Sequence, residues 1–238
     1  MKKLLLFITI LLLVSGCSKN SNELIMVTEA GFAPYEYYKD GEIVGVDVDI
    51  ANEIAKELGK KLVIKDIAFD SIVNEVKTGK ADFGAAGISY SEERAENVDF
   101  SNDYSVSRQV AVVRENTYKT INEIKNKKIA VQLGSIGDTY VSKNFKDAEV
   151  VRQKKYLAAA EDLKASKVDA IVMDELPAKQ IIANNQGLVI IDEEITSDSY
   201  GMIVKKGNKE LLDSINKVIG KLKSEGKIDE FVLNHTEE

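Results

Sequence analysis

Residues 46–86 read VDVDIANEIAKELGKKLVIKDIAFDSIVNEVKTGKADFGAA, and this stretch is the most informative about the fold. Four small or apolar residues recur in it at helical spacing: Ala51, Ile54, Ala55 and Leu58. They predict a helix that Asp47 or Asp49 would cap and Gly59 would end. A strand over 62–67, a second helix ending at Gly79 and a strand over 81–86 are predicted to follow.

A short apolar strand is also predicted over 24–28, so the first part of the chain has the order βαβαβ. This order predicts a mainly parallel sheet with helices on both faces. The alternation begins again after about residue 110, where Thr120 and Glu123 predict a capping box. No flexible spacer separates the two parts, so we predict two α/β lobes joined by ordered strands. A cleft at the carboxyl ends of their strands is the expected ligand site.

The N-terminus carries the pattern of an export signal. Lys2 and Lys3 precede an apolar run over 4–14, which is too short to cross a bilayer of ~30 Å. The small residues Ser15 and Gly16 before Cys17 resemble a bacterial lipoprotein cleavage box. The resemblance implies a signal peptide over 1–16, lipid on Cys17 and a tether over 17–23. The alternative is a plain signal peptide with a chance cysteine.

The composition excludes several classes of function. The formal net charge of −7 becomes −9 when Lys2 and Lys3 leave with the signal, which argues against nucleic acid as a partner. Cys17 is the only cysteine, so no disulfide within the chain is expected. The only histidine, His235, lies close to the C-terminus, where poor order is expected. A Ser-His-Asp triad and a His/Cys metal site are therefore excluded, and no metal or cofactor is expected.

Six short motifs, taken in order, resemble one family of proteins. They are FAPYEY (32–37), GVDVDI (45–50), GISYSEER (87–94), VDFS (98–101), VQLGS (131–135) and DAIVMD (169–174). The chain is similar over 24–231 to the polar-amino-acid solute-binding proteins of ABC importers, which are family 3 of the periplasmic-binding-protein-like group. The resemblance to the lipoprotein form of this family places the protein outside the cytoplasm, anchored to the cell membrane by lipid on Cys17.

The resemblance implies a type II fold, in which two lobes of mainly parallel sheet flanked by helices are joined by two hinge strands. The expected lobes are 24–107 plus 200–238, and 108–199. The implied partners are a free L-amino acid, an ABC permease and its ATPase, and the protein is expected to be a monomer without enzymatic activity. The alternatives left open are a dehydratase-like enzyme, which would need a positioned general acid, and a subunit of a sensor.

The chemistry of an α-amino acid agrees with the residues of these motifs. Arg94 can hold a carboxylate with two parallel hydrogen bonds, and Ser89 can add a donor. A helix predicted to begin after Ser135 favours an anion at its N-terminus, where the resemblance implies a hydrogen bond from the backbone of Ile136. It also implies that Asp174 accepts the ammonium group together with the Gly87 carbonyl. Asp174 could equally cap the helix that follows it.

The resemblance also assigns the ligand side chain. Phe32 and Phe69 match aromatic residues that clamp it, although both could be ordinary core residues. Glu29 stands where relatives that bind lysine, arginine or histidine place an acid, and Asp70 could add negative charge. A basic amino acid is therefore the expected ligand. Glutamine, cystine or another neutral polar amino acid is the alternative, because Ala86 lacks a hydroxyl that basic-amino-acid binders carry, and Gln132 and Met173 could suit an amide or a thioether.

Overall fold

The computed structural model describes residues 22–236, so the predicted signal peptide and Cys17 lie outside the described residues. The strands are β1 (Glu23–Thr28), β2 (Gly31–Phe32), β3 (Glu36–Lys39), β4 (Glu42–Val44), β5 (Lys61–Asp66), β6 (Phe83–Gly84), β7 (Val98–Phe100), β8 (Ser105–Arg114), β9 (Lys128–Gln132), β10 (Glu149–Gln153), β11 (Ala170–Asp174), β12 (Leu188–Tyr200) and β13 (Ile203–Lys205). The helices are α1 (Val46–Glu57), α2 (Ile72–Lys77), α3 (Glu92–Ala95), α4 (Ile121–Ile124), α5 (Ile136–Asn144), α6 (Tyr156–Lys164), α7 (Glu175–Ala183), α8 (Lys209–Ser224) and α9 (Lys227–Thr236).

The first lobe is built on the sheet β5-β1-β6-β13-β7. β1 pairs in parallel with β5 and β6, and β13 is the one strand of this sheet that runs against its neighbours. Helices α1, α8 and α9 pack together, and α2 contacts β1, β6 and β13. A small antiparallel sheet, β2-β3-β4, is inserted between β1 and α1. The predicted βαβαβ order is therefore confirmed, with this small sheet as an addition.

The second lobe repeats the arrangement in the sheet β10-β9-β11-β8-β12. β9 pairs in parallel with β10 and β11, and β8 runs antiparallel to both β11 and β12. In each of the two five-stranded sheets four strands point one way and one strand opposes them, so the prediction of two mainly parallel sheets flanked by helices is confirmed. The sheets bury largely apolar faces because parallel strands covered on both sides contact little water.

β8 and β12 carry the chain between the lobes. Their pairing runs from Arg114 with Leu188 to Ser105 with Tyr200, with an irregularity between Ile191 and Thr196. At the far end Tyr200 forms a bridge with Ser89 of the first lobe, and the Gly201 N–H donates to the Ile88 carbonyl. The two predicted hinge strands thus lie side by side and pass into the first lobe together.

Some of the local predictions are confirmed and others are wrong. The capping box at Thr120 and Glu123 is confirmed, and Gly59 ends α1 with φ of 63°. The predicted cap of α1 was wrong, because the cap residue is Gly45 and Asp47 is fully buried inside the first turn. His235 lies in α9, where its ring contacts the Asp49 carboxylate at 2.9 Å and the Tyr37 hydroxyl at 3.0 Å. The expectation of poor order there was therefore wrong.

Candidate functional site

The predicted site residues lie on loops and helix starts that face each other between the lobes. Glu29 follows β1 and Phe69 follows β5, while Gly87 and Ser89 follow β6, all in the first lobe. From the second lobe, Ser135 and Ile136 begin α5 after β9, and Asp174 ends β11. Because parallel strands present their carboxyl ends at one edge of a sheet, residues distant in sequence meet at the same cleft.

Arg94 bridges the two lobes through backbone carbonyls. Its Nη1 donates to the Ser89 carbonyl at 2.6 Å, and its Nη2 donates to the Gly134 carbonyl at 2.8 Å. The guanidinium carbon lies 5.4 Å from the centre of the Phe69 ring, within cation–π range. A guanidinium has five N–H donors, so these two hydrogen bonds orient the group and leave donors for an anion. Arg94 is therefore held in place before a carboxylate arrives.

One buried carboxyl group, Asp174, and one half-buried carboxyl group, Asp198, lie near Arg94. Asp174 accepts a hydrogen bond of 2.5 Å from the Tyr200 hydroxyl, and Asp198 accepts one of 2.9 Å from Ser89. Burial, reinforced by the negative charge of Asp174, raises the pKa of Asp198 to about 6. Burial likewise raises the pKa of Asp174, although the hydrogen bond from Tyr200 opposes the shift. The charges of Asp198 and Asp174 both favour the charged form of Arg94 against its own burial.

Asp174 does not cap the helix that follows it. It occupies the cap position of α7, but its side chain makes no capping hydrogen bond. The acceptor Oδ1 is instead bonded to Tyr200 on a hinge strand. Of the two roles that the sequence left open for this carboxylate, the cap is therefore wrong.

Glu29 is a first-lobe carboxylate whose partners come from the second lobe. Gln132 Nε2 donates to its Oε2 at 3.0 Å, and Lys155 Nζ lies 3.0 Å from its Oε1. Its side chain is only 1% exposed. Burial raises the pKa of Glu29, while the contact with Lys155 opposes the shift. The acid expected to face a ligand side chain thus already faces a cation of the protein itself.

The aromatic residues form one cluster and one separate contact. Phe32 packs against Tyr35, Tyr156 and Tyr200 with ring centroids 5.9–6.4 Å apart. Phe69 lies instead under Arg94. The predicted clamp by Phe32 and Phe69 stays a prediction.

Gly87 and Ser135 hold the two loops in shape. Gly87 has φ of 53°, and its N–H donates to Asp47 Oδ2 at 3.0 Å. A Cβ at Gly87 would lie 2.7 Å from the Phe32 ring, so this position requires glycine. Ser135 Oγ accepts from the Asp138 N–H at 3.1 Å and caps α5. This cap fixes the first turn of α5.

A pocket of about 280 Å³ opens beside Arg94 between the lobes. Phe69, Asp70, Ser91, Arg94, Gly134 and Ile136 are among its lining residues. A second pocket, of about 340 Å³, is lined by residues of both lobes that include Tyr38, Leu157, Pro177 and His235, and none of the predicted site residues. Of the nine predicted ligand-binding residues, Phe69, Arg94 and Ile136 line the first pocket.

Sequence reasoning missed three residues of this site: Lys155, Asp198 and Tyr200. Lys155 precedes a helix in an ordinary polar stretch, and Asp198 and Tyr200 lie in a long strand without a motif. Nothing in their local sequence distinguishes them. They reach the site only because the hinge strands and the start of α6 face the first lobe.

Within residues 22–236 no group of three or more His, Cys, Asp or Glu side chains could hold a metal ion. Within the same residues no helix is long and apolar enough to cross a membrane.

Comparison with known proteins agrees with the two-lobed fold. A probable histidine-binding protein of Campylobacter jejuni is 32% identical over 87% of this chain and 82% of its own length. A mutant of ArgBP from T. maritima has a TM-score of 0.87 and 38% identity, covering 91% of this chain and 96% of the other. An amino acid ABC transporter substrate-binding protein of Streptococcus pneumoniae, bound to L-arginine, has the same TM-score with 34% identity, covering 91% and 95%.

Two family models match the chain in adjoining regions. The prokaryotic membrane lipoprotein lipid attachment site matches residues 1–18, in agreement with the predicted cleavage box. The second match spans residues 24–237, which is almost all of the remaining chain. The members of that family are transport proteins that bind a substrate rather than enzymes. This protein belongs to family 3 of the bacterial extracellular solute-binding proteins.

Proposed function

We propose that this protein binds a free polar L-amino acid between its lobes and delivers it to an ABC importer, with arginine, lysine or histidine as the preferred ligand. One observation carries the proposal. A held guanidinium, the buried carboxyl group of Asp174 and the start of α5 converge from both lobes at one cleft. An α-amino acid presents a carboxylate and an ammonium group together, and this arrangement supplies partners for both.

Arg94, with the Ser89 side chain and the N–H of Ile136, binds the ligand carboxylate in this proposal. Asp174 accepts the ammonium group, assisted by the Gly87 carbonyl. Hydrogen bonds to charged groups each contribute roughly 1.5–3 kcal/mol, so three or four of them support micromolar or tighter binding. Phe32 and Phe69 contact the ligand side chain, whose far end points to Glu29.

The basic ligand is supported by Glu29, by a relative named as a probable histidine-binding protein and by a similar structure bound to L-arginine. A second candidate is glutamine, cystine or another neutral polar amino acid. The observation that favours it is the ion pair of Glu29 with Lys155, because this pair already neutralises the acid.

Ligand contacts on both lobes are complete only when the lobes are closed, so binding shifts the population to the closed form. In this proposal the moving bodies are residues 24–107 plus 200–238, and residues 108–199. The partners are the membrane permease and its ATPase, and the protein acts as a monomer. Lipid on Cys17 holds it at the outer face of the cell membrane, with residues 17–23 as a tether.

The test is calorimetric titration of ligand-stripped protein against the common L-amino acids and cystine. Micromolar or tighter binding of arginine, lysine or histidine is the expected result. Preference for glutamine or cystine would keep the function and change the ligand. Failure to bind any of them, or turnover of prephenate or arogenate followed by absorbance, would overturn the proposal. The anchor is tested by Cys17→Ala, which should move the protein from the membrane to the soluble fraction.

A further inference from the structure

Lys155 lies between two carboxylates of the opposite lobe. Its Nζ is 3.0 Å from Glu29 Oε1 and 3.5 Å from Asp66 Oδ2. Lys155 is the residue just before α6 in the second lobe, and both acids belong to the first. Its side chain is 42% exposed, whereas that of Glu29 is 1% exposed. A half-exposed cation therefore reaches inward to a buried acid.

The other oxygen of Glu29 is engaged by the same lobe. Gln132 Nε2 donates to Oε2 at 3.0 Å and also to the Lys154 carbonyl at 3.1 Å. Its amide is thus fixed by the backbone next to Lys155. Glu29 therefore contacts one ammonium group and one amide. A lysine ligand would offer the first kind of donor, and a glutamine ligand would offer the second.

The charge of Lys155 affects a cationic ligand side chain and a neutral one differently. Burial raises the pKa of Glu29, while its contact with Lys155 and the positive charge of Lys155 favour the ionised form. A second cation brought to Glu29 would lie close to Lys155 and be repelled by it. A neutral amide meets no such repulsion.

We propose that Lys155 determines specificity as an internal counter-ion that occupies the cation position of Glu29 and competes with cationic ligand side chains. A cationic ligand displaces Lys155 toward Asp66, which is already within reach. The four-carbon stem of lysine and its half-exposed position permit this movement. The inference rests on the proposed function, since it concerns the ligand side chain at the same site.

The consequence is a smaller preference for cationic over neutral side chains than Glu29 alone would give. Lys155 is the one cation among residues 22–236 that pairs with Glu29, so removing it leaves the ligand to supply the positive charge there. A cationic ligand must break the partly exposed ion pair between Lys155 and Glu29, and this lowers its affinity by about tenfold.

The test is titration of the full-length protein, purified in detergent and stripped of ligand, with arginine, lysine and glutamine. Lys155→Met should strengthen arginine and lysine binding by about tenfold and change glutamine binding by less than about twofold. In a Glu29→Gln background the same substitution should have no effect. Lys154→Met is the matched control, because that exposed lysine is adjacent and contacts Gln132 only through its backbone carbonyl.

Lys155→Gln, which keeps a polar chain without charge, is the second variant, and thermal unfolding checks that all variants are folded. An equal change for the three ligands would mean that Lys155 only ties the lobes together, which overturns the inference. No change in the ratio of affinities would overturn it as well, with the proposed function intact. If the unmodified protein bound none of the ligands, the proposed function would fall and the inference with it.

Discussion

Glu29 and Glu36 stand seven residues apart, and each is 1% exposed, yet their surroundings are opposite. Glu29 lies at the boundary between the lobes, where Lys155 and Gln132 reach it from the other side. Glu36 lies behind the cleft, and its charged neighbour is the fully buried Asp47. Of these two buried glutamates, one therefore pairs with a cation and the other lies close to another acid.

The comparison distinguishes acids that lie at the cleft from acids that support the structure behind it. At the cleft each acid meets a donor from another element, and Arg94 supplies positive charge, so these groups can exchange partners with a ligand. Behind the cleft, burial and the charge of Asp47 hold the pKa of Glu36 well above its usual range. Burial raises the pKa of Asp47 to about 6. Glu36 is thus held in its neutral form, while Asp47 supports the Gly87 loop by accepting a hydrogen bond from the Gly87 N–H.

The largest effect is expected at Arg94. Arg94→Ala removes the donors that we propose for the ligand carboxylate, so the affinity for every amino acid should fall by at least about 100-fold. Arg108→Ala is the matched control, because that arginine pairs with Glu175 on the outside of the second lobe. It should change the affinity by less than about threefold, as titration of the same ligands will show. Retained affinity in Arg94→Ala would remove this residue from the site.

The next effect is on the pH dependence of stability. A carboxyl whose pKa is higher in the folded state binds its proton more tightly there, so its stabilising contribution is lost as the pH rises. For Asp47 the window runs from about pH 4 to about pH 6, and the contribution amounts to about 3 kcal/mol. Urea unfolding between pH 4.5 and 7.5 should therefore show declining stability across this window.

Burial also raises the pKa of Glu36, so Glu36→Gln tests how much of this decline in stability comes from Glu36. Replacing the acid by a neutral amide should flatten the slope and raise the free energy of unfolding at pH 7 by about 1–3 kcal/mol. Glu53→Gln removes a surface carboxyl from α1 and should leave the slope unchanged. Equal slopes in the unmodified protein and in Glu36→Gln would show that Glu36 does not titrate in this range.

A smaller effect is expected where the two regions join. Gly87→Ala and Gly59→Ala both place a side chain at positive φ, which costs about 1–2 kcal/mol at each site. Only at Gly87 would the new Cβ meet the Phe32 ring, whereas nothing lies within 4 Å at Gly59. Gly87→Ala should therefore be less stable by about a further 1–3 kcal/mol in urea unfolding. Similar losses in the two variants would mean that Phe32 moves aside freely.

The smallest effect is expected from a direct comparison of Glu29 with Glu36. Glu29→Gln should weaken arginine and lysine binding by about tenfold and leave glutamine binding almost unchanged, because Lys155 already offsets part of the negative charge. Glu36→Gln should leave the affinities for all three within about threefold. Titration of both variants is the measurement. A uniform loss in Glu29→Gln would contradict its role toward the ligand side chain.

Much of the fold could be predicted because its signals are local. The spacing of Ala51, Ile54, Ala55 and Leu58 before Gly59 predicts α1, which the structure contains. The capping box at Thr120 and Glu123 was found in the same way. The cap of α1 was predicted wrongly because Asp47 is an acidic residue at a plausible position. Its side chain instead turns inward to Gly87, and local sequence does not show this.

The candidate site could be predicted only where a motif marks it. Arg94, Ser89, Gly134 and Asp174 lie in recognisable strings and do meet around one cleft, although the ligand contacts assigned to them stay a prediction. Lys155, Asp198 and Tyr200 were missed. The pair of Glu29 and Lys155 spans 126 positions, and the contact of Ser89 with Asp198 spans 109. Such contacts depend on how the two lobes face each other.

The sequence by itself determined the family, the two α/β lobes and the match to a lipoprotein lipid attachment site, and it predicted which residues would hold an amino acid. These follow from periodicity, short motifs and the order of elements along the chain, all of which are local properties. Only the tertiary structure decided which acids are paired and which are left close to neutral. The charge of a buried carboxyl depends on the few atoms around it, and for Glu29 these belong to Gln132 and Lys155 of the opposite lobe.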